Sequence, residues 1–571
     1  MGTYIRLVDI NDAKGKESAF LSAVQDKNSS IRFETSAENF SKIPGSPVAY
    51  WTNENLINIF SKGNLIKDFF EVRNGITTGQ NDLFIRYWFE VTKDKKYKWL
   101  PCNKGGTYRK WYGNYEYVIN WENDGYSLKN FCDPYSGKRR ATLRSIDFNF
   151  HEAITMSRIT SGALSFRWLD CGFITEGASN NIYFKNCNVI QAKHLLSLLN
   201  SKVGDYVINL YNPTVNVMPD DLRSFPIVFI NNETLTTVEQ NITIAKADWD
   251  AFETSWDFTN HPFITHKGNG QIENSFKNWE EFAERQFYQL KANEEELNRI
   301  FIDIYGLQDE LTPDVEEKDV TVRKADLGRD VRSFISYAVG CMFGRYSLDT
   351  DGLAYAGGNW DQSKYKTFIP DADNCIPITD EEYFDDDVVS RFVDFVKTVY
   401  GKDTLEKNLE FIAEALGNRG DTPLKTIRNY FINDFYKDHV KIYQKRPIYW
   451  LFDSGKENGF KALIYMHRYN ADTIGNIRIE YIHKLQAKYE SQLSFEQHLI
   501  DTSQNQREKS AAMKQKEKLI RQIKEIKDYD VKIAHLANCR IEIDLDDGVK
   551  VNYEKVQTGK DGKKLEVLGK I

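Results

Sequence analysis

The sequence predicts an α+β protein of several domains, with a mixed α/β region followed by a mainly α-helical spacer and a C-terminal region that holds a small β-hairpin. The 571 residues suffice for three or four domains, at roughly 150 residues each. Hydrophobic residues make up 41% of the chain, which is ample for packed cores. Strand-like runs prevail before residue 230, and helical periodicity prevails after it.

Proline-rich connectors divide the chain. Pro44-Gly45-Ser46-Pro47 forms one connector, and three prolines punctuate residues 212–227. We therefore expect five consecutive segments: a linker (1–48), a mixed α/β domain (49–230), a helical spacer (231–345), a second mixed α/β domain (346–480), and a long helix or coiled coil with a short β tail (481–571).

In the first half of the chain, apolar patterning predicts both strands and helices. We expect a strand at 4–8, helices near 17–24 and 56–60, a hairpin at 154–166 that turns at Ser161-Gly162, a strand pair at 173–184, and one amphipathic helix at 189–210. That last helix should stop at Tyr211, because Pro213 restricts the residue before it.

In the second half, capping residues predict where helices begin and end. We expect helices at 235–254, at 279–305 between Asn278 and Gly306, at 326–346, from Asp385-Asp386-Asp387 to 400, and from Thr422-Pro423 onward. A hairpin should pair 446–452 with 460–467. A charged helix pair at 472–535 and a short β end at 540–553 should follow.

The stretch V-R-N-G-I-T-T-G-Q-N-D-L-F at 72–84 begins like a strand, becomes polar in its middle and ends in apolar residues. Gly75, Thr78 and Gly79 predict a tight turn whose backbone can approach a partner closely. On its own this pattern also fits the polar end of a hairpin.

Residues 91–144 form the most basic part of the chain, with twelve Lys or Arg against five acids. Eleven aromatic residues are interleaved there. Cations that neutralise phosphates, mixed with rings that stack, are typical of a nucleic-acid groove. The same composition also fits an aromatic core beneath a solvated basic face. Because the net charge of the whole chain is −8, a nucleic-acid site must be a local patch.

Seven scattered cysteines without a C-x-x-C pair indicate reduced thiols, and we therefore expect a cytoplasmic protein. Uncharged apolar runs stay below the ~20 residues of a membrane span, and we expect no membrane partner.

A search for catalytic motifs finds no complete site. The sequence contains no N-P-P-Y/F motif of adenine methyltransferases, no P-loop, no G-x-S-x-G elbow and no H-E-x-x-H. We expect no catalytic residue and no metal ligand in this chain. Asp349, Asp351 and Asp361 resemble a calcium loop superficially, but the EF-hand spacing fails, so turns and caps are favoured.

Several motifs nevertheless resemble known families. Gly75–Phe84 is similar to the G-I-x-T-G-x-N-x-x-F signature of target-recognition domains in Taq-type adenine methyltransferases and fused restriction-modification enzymes. Residues 195–226 are similar to the helix and connector that close each recognition unit of type I specificity subunits.

The chain as a whole resembles the C-terminal part of the adenine-specific DNA methyltransferases of type 1 BREX phage-exclusion systems. The motifs that carry this resemblance are I-P-G-S-P-V-A-Y-W (43–51), N-K-G-G (103–106), R-K-W-Y-G (109–113), F-G-R-Y-S-L-D (343–349), G-L-A-Y-A-G-G (352–358) and G-F-K-A-L-I-Y-M-H-R-Y-N (459–470).

This resemblance implies a function. Residues 49–230 would be a DNA target-recognition domain, and 1–48 a linker from a catalytic domain that lies outside the sequence. S-adenosylmethionine would bind that domain, with no cofactor in this chain, so the chain is expected to be inactive alone. The implied partners are double-stranded DNA, the methyltransferase catalytic domain or subunit, and other BREX proteins.

Two sets of residues are candidates for DNA contact. The candidates for phosphate contact are Lys104, Arg109, Lys110, Lys138, Arg139, Arg140 and Arg144. The candidates for base-edge contact are Gln80, Asn81, Ser157, Arg158 and Ser165.

Two alternatives remain open at this point. In one alternative, the chain is a stand-alone, non-catalytic DNA-binding or regulatory protein. In the other alternative it is a metal-dependent enzyme that uses the Asp349–Asp361 region.

Overall fold

The computed structural model describes residues 1–92, 97–160, 162–229 and 234–571. The strands are β1 Gly2–Ile5, β2 Arg32–Thr35, β3 Asn64–Leu65, β4 Phe70–Asn74, β5 Ile85–Tyr87, β6 Trp99–Asn103, β7 Tyr117–Asn120, β8 Ala153–Ser157, β9 Phe166–Leu169, β10 Ile174–Thr175, β11 Ser179–Phe184, β12 Pro226–Ile227, β13 Ile376–Pro377, β14 Tyr449–Asp453 and β15 Lys461–Tyr465.

The α-helices are α1 Ala13–Gln25, α2 Ala37–Phe40, α3 Glu54–Lys62, α4 Ile66–Phe69, α5 Asn81–Phe84, α6 Glu122–Lys129, α7 Val189–Asn200, α8 Lys202–Tyr211, α9 Pro219–Arg223, α10 Leu235–Asp250, α11 Pro262–Thr265, α12 Ile272–Tyr305, α13 Leu327–Met342, α14 Val388–Tyr400, α15 Leu405–Ala415, α16 Pro423–Asn433, α17 Phe435–Ile442, α18 Thr473–Asn476, α19 His483–Thr502, α20 Gln506–Cys539 and α21 Gly548–Val556. These helices and small sheets confirm the predicted α+β class.

The chain forms two compact units whose segments alternate along the sequence. Unit 1 comprises residues 1–85, 100–249 and 285–323, and unit 2 comprises 86–99, 250–284 and 324–571. The division into five consecutive segments stays a prediction.

Unit 1 is built around two small sheets. One is antiparallel, with the strand order β4-β11-β8-β9, and the other holds β10, β6 and β7 in that order. The predicted hairpin at 154–166 is confirmed in its first strand and in its antiparallel pairing, since β8 pairs with β9, but β9 begins only at Phe166, where the predicted hairpin ends. Its predicted turn includes Ser161, which lies outside the described residues.

Two predictions in unit 1 are wrong. The strands at 173–184 do not pair with each other: β10 pairs with β6, and β11 pairs with β4 and β8. The helix at 189–210 is two helices, because Ser201 is extended (ψ 164°) and its hydroxyl accepts a hydrogen bond from the Gly204 N–H, which caps α8. That second helix ends at Tyr211, as predicted.

Unit 2 encloses a three-stranded antiparallel sheet, β13-β15-β14, which contains the predicted hairpin. The sheet is buried on both faces, because alternate residues enter different cores. Tyr449 and Leu451 pack among helices α13–α17, whereas Trp450 and Phe452 pack against α19 and α20.

The helix pair α19 and α20 confirms the predicted charged helical hairpin. Its buried residues on α20 recur at alternating steps of three and four, which is the heptad pattern of a coiled coil: Leu519, Gln522, Ile526, Tyr529, Ile533 and Leu536. The β end predicted at 540–553 is wrong, because α21 occupies 548–556 and Ile541 packs into the core without strand pairing.

Local capping signals elsewhere were accurate. Asp326, Asp387 and Thr422 accept backbone hydrogen bonds at the starts of α13, α14 and α16. By contrast, α12 begins at Ile272, and Asn278 lies inside it with its amide bonded to the His266 carbonyl.

A buried carboxyl group in unit 2 lies among other acids. Asp371 is 9% exposed and accepts a hydrogen bond from the Cys375 N–H at 3.1 Å. The Tyr481 hydroxyl joins the neighbouring Asp373 and Asp386 at 2.9 and 2.7 Å. Burial, together with Asp373 and Asp386, raises the pKa of Asp371 to about 7.

This group makes stability depend on pH. Between about pH 4 and pH 7, folded Asp371 keeps a proton that the unfolded chain releases, so the free energy of unfolding should fall as pH rises, by at most about 1.4 kcal/mol per pH unit. We expect Asp371→Asn to gain stability relative to the parent as pH rises from about 5 to about 8, measured by urea denaturation. Asp403→Asn, at an exposed carboxylate, should show no such trend. A parallel pH dependence in parent and Asp371→Asn would contradict the assignment.

Candidate nucleic-acid interface

The signature turn, Gly75–Gly79, lies against the end of β10. The Ile76 N–H donates to the Thr175 carbonyl at 2.8 Å, and the Gly177 N–H donates to the Ile76 carbonyl at 2.7 Å. A Cβ atom at position 75 would lie 2.0 Å from the Thr175 oxygen. Glycine is required there because one backbone passes directly against another.

The same turn holds the base of the cationic loop, defined as Cys132–Arg144. Thr77 exchanges two backbone hydrogen bonds with Thr142, each 2.8 Å long. Gly79 has φ +76°, and a Cβ atom there would lie 2.6 Å from the Arg140 carbonyl oxygen. The signature turn therefore joins the cationic loop to the edge of the sheet.

Asp133 organises the cationic loop from within. Its carboxylate accepts hydrogen bonds from the Tyr135 N–H (3.1 Å), the Ser136 N–H (2.9 Å) and the Ser136 hydroxyl (3.0 Å), and it pairs with Arg140 at 2.6 Å. The hydrogen bonds from Arg140 and Ser136 hold the pKa of Asp133 below its ordinary value. This network orders the loop and leaves the Tyr135 ring 97% exposed at its tip.

The cationic loop carries exposed positive charge. Lys138, Arg139 and Arg144 are exposed and have no ion-pair partner among the residues that the structure describes. Lys104, on the loop after β6, is half-buried, with its ammonium 5.0 Å from the centre of the Tyr117 ring.

Arg109, predicted as a phosphate contact, lies in a buried ion-pair network. Its guanidinium pairs with Asp248 at 2.8 Å and donates to the Tyr112 carbonyl at 2.7 Å. Arg323 binds the same carboxylate at 3.1 Å. Burial would raise the pKa of Asp248, but Arg323 and Arg109 outweigh it and hold this pKa below its ordinary value.

Lys110 is buried beside Arg109 and pairs with Glu294 of α12 at 3.0 Å. The Trp111 indole N–H donates to the other oxygen of Glu294 at 2.7 Å. Burial would lower the pKa of Lys110, but the facing Glu294 carboxylate raises it above the ordinary value. Within unit 1, R-K-W therefore anchors the loop between β6 and β7 to α10 and α12.

Gln80 and Asn81, predicted as base-edge contacts, are exposed at the end of the signature turn. The buried Thr78 hydroxyl donates to Asn81 Oδ1 at 2.6 Å and accepts from the Gln80 N–H at 3.2 Å. Thr78 thus fixes the side chain of Asn81 and the backbone of Gln80 at the end of the signature turn.

The other base-edge candidates differ in exposure. Ser157 exchanges hydrogen bonds with the backbone of Gly106, at 3.0 and 2.8 Å. Arg158 is half-buried and donates to the Asn216 side chain at 3.1 Å. Ser165 is buried and accepts from the Arg109 N–H at 3.3 Å.

The structure therefore places Gln80 and Asn81 at the turn that holds the base of the cationic loop, and it places Arg109 and Lys110 in the interior. Sequence reasoning missed Asp248 and Glu294, because acids on polar helices carry no signal of their distant partners. Tyr135 had a usable signal, since D-P-Y-S-G is a turn sequence that exposes its middle residue.

The carboxylates of the Asp349–Asp361 region bond to the turns around them. Asp349 accepts from the Lys366 and Thr367 N–H groups at 2.7 and 2.8 Å, and Asp361 accepts from the Ser363 N–H at 3.0 Å. Among the described residues, no group of three or more His, Cys, Asp or Glu side chains is placed to hold a metal ion. Within the same residues, no helix has the length and apolarity to cross a membrane.

Comparison with known proteins gives two strong similarities to adenine-specific methyltransferases. The chain is 44% identical over 580 residues to adenine-specific methyltransferase PglX of Lacticaseibacillus casei (strain Zhang), which covers 98% of this chain and 48% of that protein. It is 37% identical over 588 residues to adenine-specific methyltransferase BrxX of Escherichia coli O9:H4 (strain HS), which covers 97% of this chain and 47% of that protein. No family model matches the chain.

The chain is thus related to adenine-specific methyltransferases. In particular it is a PglX-like protein, and it spans about half the length of the curated relatives it matches.

We expect Gly75→Ala to lower the free energy of unfolding by about 2 kcal/mol or more, because its methyl group would collide with the Thr175 carbonyl. Thermal denaturation followed by circular dichroism measures this. Gly162→Ala is the matched control, since a Cβ there meets nothing within 4 Å. Equal effects of the two substitutions would contradict the close approach.

We expect Glu294→Gln to cost about 3 kcal/mol, because Lys110 would keep a buried charge without its counter-charge. On the same helix, Glu296 forms an exposed pair with Arg299, and Glu296→Gln should cost less than about 0.5 kcal/mol. Urea denaturation compares the two. The double variant Lys110→Met/Glu294→Gln should recover part of the loss, and a double variant less stable than Glu294→Gln alone would contradict the pairing.

Proposed function

We propose that unit 1 binds double-stranded DNA and selects the site of adenine methylation. The observation that carries this proposal is the ordered cationic loop beside the signature turn, in a chain related to adenine-specific methyltransferases. Guanidinium and ammonium groups on an ordered surface loop suit phosphate binding, which supplies most of the salt-dependent affinity for DNA.

In this proposal, the contacts with phosphates come from the cations that solvent can reach. These are Lys104, Lys138, Arg139, Arg140 and Arg144. Arg109 and Lys110 do not bind phosphates, because Asp248 and Glu294 already neutralise their charges. Their role is to hold the loop between β6 and β7 in place.

Sequence selection is assigned to polar groups around the signature turn. The amides of Gln80 and Asn81 can each make the paired hydrogen bonds that distinguish adenine in the major groove. Arg158 is a further candidate for a base edge or phosphate, because it is half-buried and ends near the surface. Ser157 and Ser165 act on loop geometry through their bonds to Gly106 and Arg109.

In this proposal, methyl transfer takes place outside this sequence. The N-P-P-Y/F motif, which holds a flipped adenine, is absent from the sequence. We place S-adenosylmethionine and the flipped base in a catalytic domain outside this sequence, with unit 1 presenting the DNA. By its resemblance, the assembly would serve a BREX phage-exclusion system, with other BREX proteins as partners.

We expect Lys138→Ala/Arg139→Ala/Arg144→Ala to weaken DNA binding at least tenfold at about 0.15 M salt. The slope of log K against log salt should fall by up to about 2.7, since each phosphate contact contributes about 0.9. Fluorescence anisotropy with duplexes of randomised sequence, across about 50 to about 200 mM salt, measures both quantities.

The matched control removes equal charge elsewhere on unit 1. Lys14→Ala/Lys27→Ala/Lys62→Ala replaces three exposed lysines, so binding should change little. If both triple variants lose the same affinity and slope, the loop is not the phosphate contact and the proposal fails.

A further inference from the structure

Unit 1 also contains a cavity of about 500 Å³ with aromatic walls. The rings of Trp51, Tyr108 and Tyr206 line it, and Tyr108 is 38% exposed. Cavities of roughly 300–1,000 Å³ hold small organic ligands in proteins. Aromatic walls favour a planar ligand, because flat rings stack on one another without a demand for particular hydrogen bonds.

Some charged side chains that line this cavity are already bound by other protein groups, and others can bind a ligand. Lys110 is bound to Glu294, and Asp205 accepts hydrogen bonds from the Leu164 N–H and the Asn209 amide, each at 3.1 Å. These two lining residues are therefore already satisfied by the protein.

Two other cations line the cavity, and neither is held in a buried ion pair. Arg6 lies over the Trp51 ring at 5.1 Å, and its pairing with Asp9 is at the surface. Lys202 lines the cavity at the start of α8 and has no ion-pair partner in the described parts of the chain. Asp319 adds one carboxylate, which can accept a hydrogen bond from an amino group.

We propose that this cavity binds a single nucleotide. The base stacks on the aromatic wall, the phosphate binds Arg6 and Lys202, and an exocyclic amino group donates to Asp319. The nucleotide is either free in solution or an unpaired nucleotide of a DNA strand. This site is separate from the cationic loop and does not rest on the proposed function.

Calorimetric titration of the purified chain with adenosine 5′-monophosphate and with adenosine tests the site. We expect Lys202→Gln to weaken the nucleotide about tenfold, which is the usual effect of losing a charge-assisted hydrogen bond, and to leave adenosine binding unchanged. Lys62→Gln, at an exposed lysine of α3, should change neither.

Tyr108→Leu tests the stacking wall at an exposed ring of the cavity. It should weaken adenosine and the nucleotide alike, by about fivefold or more, with circular dichroism and thermal melting establishing that the variant is folded. No binding of adenosine 5′-monophosphate to the parent chain would overturn the proposal. Equal affinities of parent and Lys202→Gln would also overturn it.

Competition identifies the source of the nucleotide. If a duplex with one unpaired adenine displaces the bound nucleotide and a fully paired duplex does not, the site takes a nucleotide from DNA. If neither duplex displaces it, the ligand is free. Because the Lys138/Arg139/Arg144 variant keeps this cavity intact, its nucleotide affinity should equal the parent's even where its DNA affinity is lost.

Discussion

Two buried carboxylates fix the geometry of unit 1. Asp248 binds two guanidinium groups, and Glu294 binds one ammonium and one indole N–H. Moving such charges out of water costs several kcal/mol per ion, so each network stabilises the fold only while its partners are complete. Arg109 and Lys110 are thereby committed to the interior, and the charge available to a ligand must come from other cations.

Features that depend on neighbours in sequence were predictable. Asp326, Asp387 and Thr422 cap helices because each bonds to a backbone N–H within three residues, and Gly306 (φ +66°) ends α12 at the predicted place. Features decided by distant packing were not. The alternation at 540–545 has the period of a strand, but among the described residues it pairs with no strand, and Ile541 is buried against the helical hairpin instead.

In the candidate site, too, local features were predictable from the sequence and distant contacts were not. From composition, all the basic residues of this region were predicted to contact phosphate, because a basic run does not reveal which side chains are buried. The prediction therefore included the buried Arg109 and Lys110 beside the exposed Lys138, Arg139 and Arg144. Asp248 is 139 residues from Arg109, and Glu294 is 184 residues from Lys110. The turn residues Gly75, Thr78 and Gly79 were identifiable from sequence. The backbone hydrogen bonds of Ile76 to Thr175 and of Thr77 to Thr142 were not, because they join segments far apart in the chain.

The cationic loop is closed by its own contacts. Cys132 and Arg139 form an antiparallel bridge across the base of the loop. The Asp133 carboxylate accepts the Ser136 N–H within the turn that the bridge closes. The residues between Cys132 and Arg139 can therefore be exchanged for another sequence or length without disturbing the core of unit 1. A grafted or lengthened sequence at this point of unit 1 should therefore have a low structural cost.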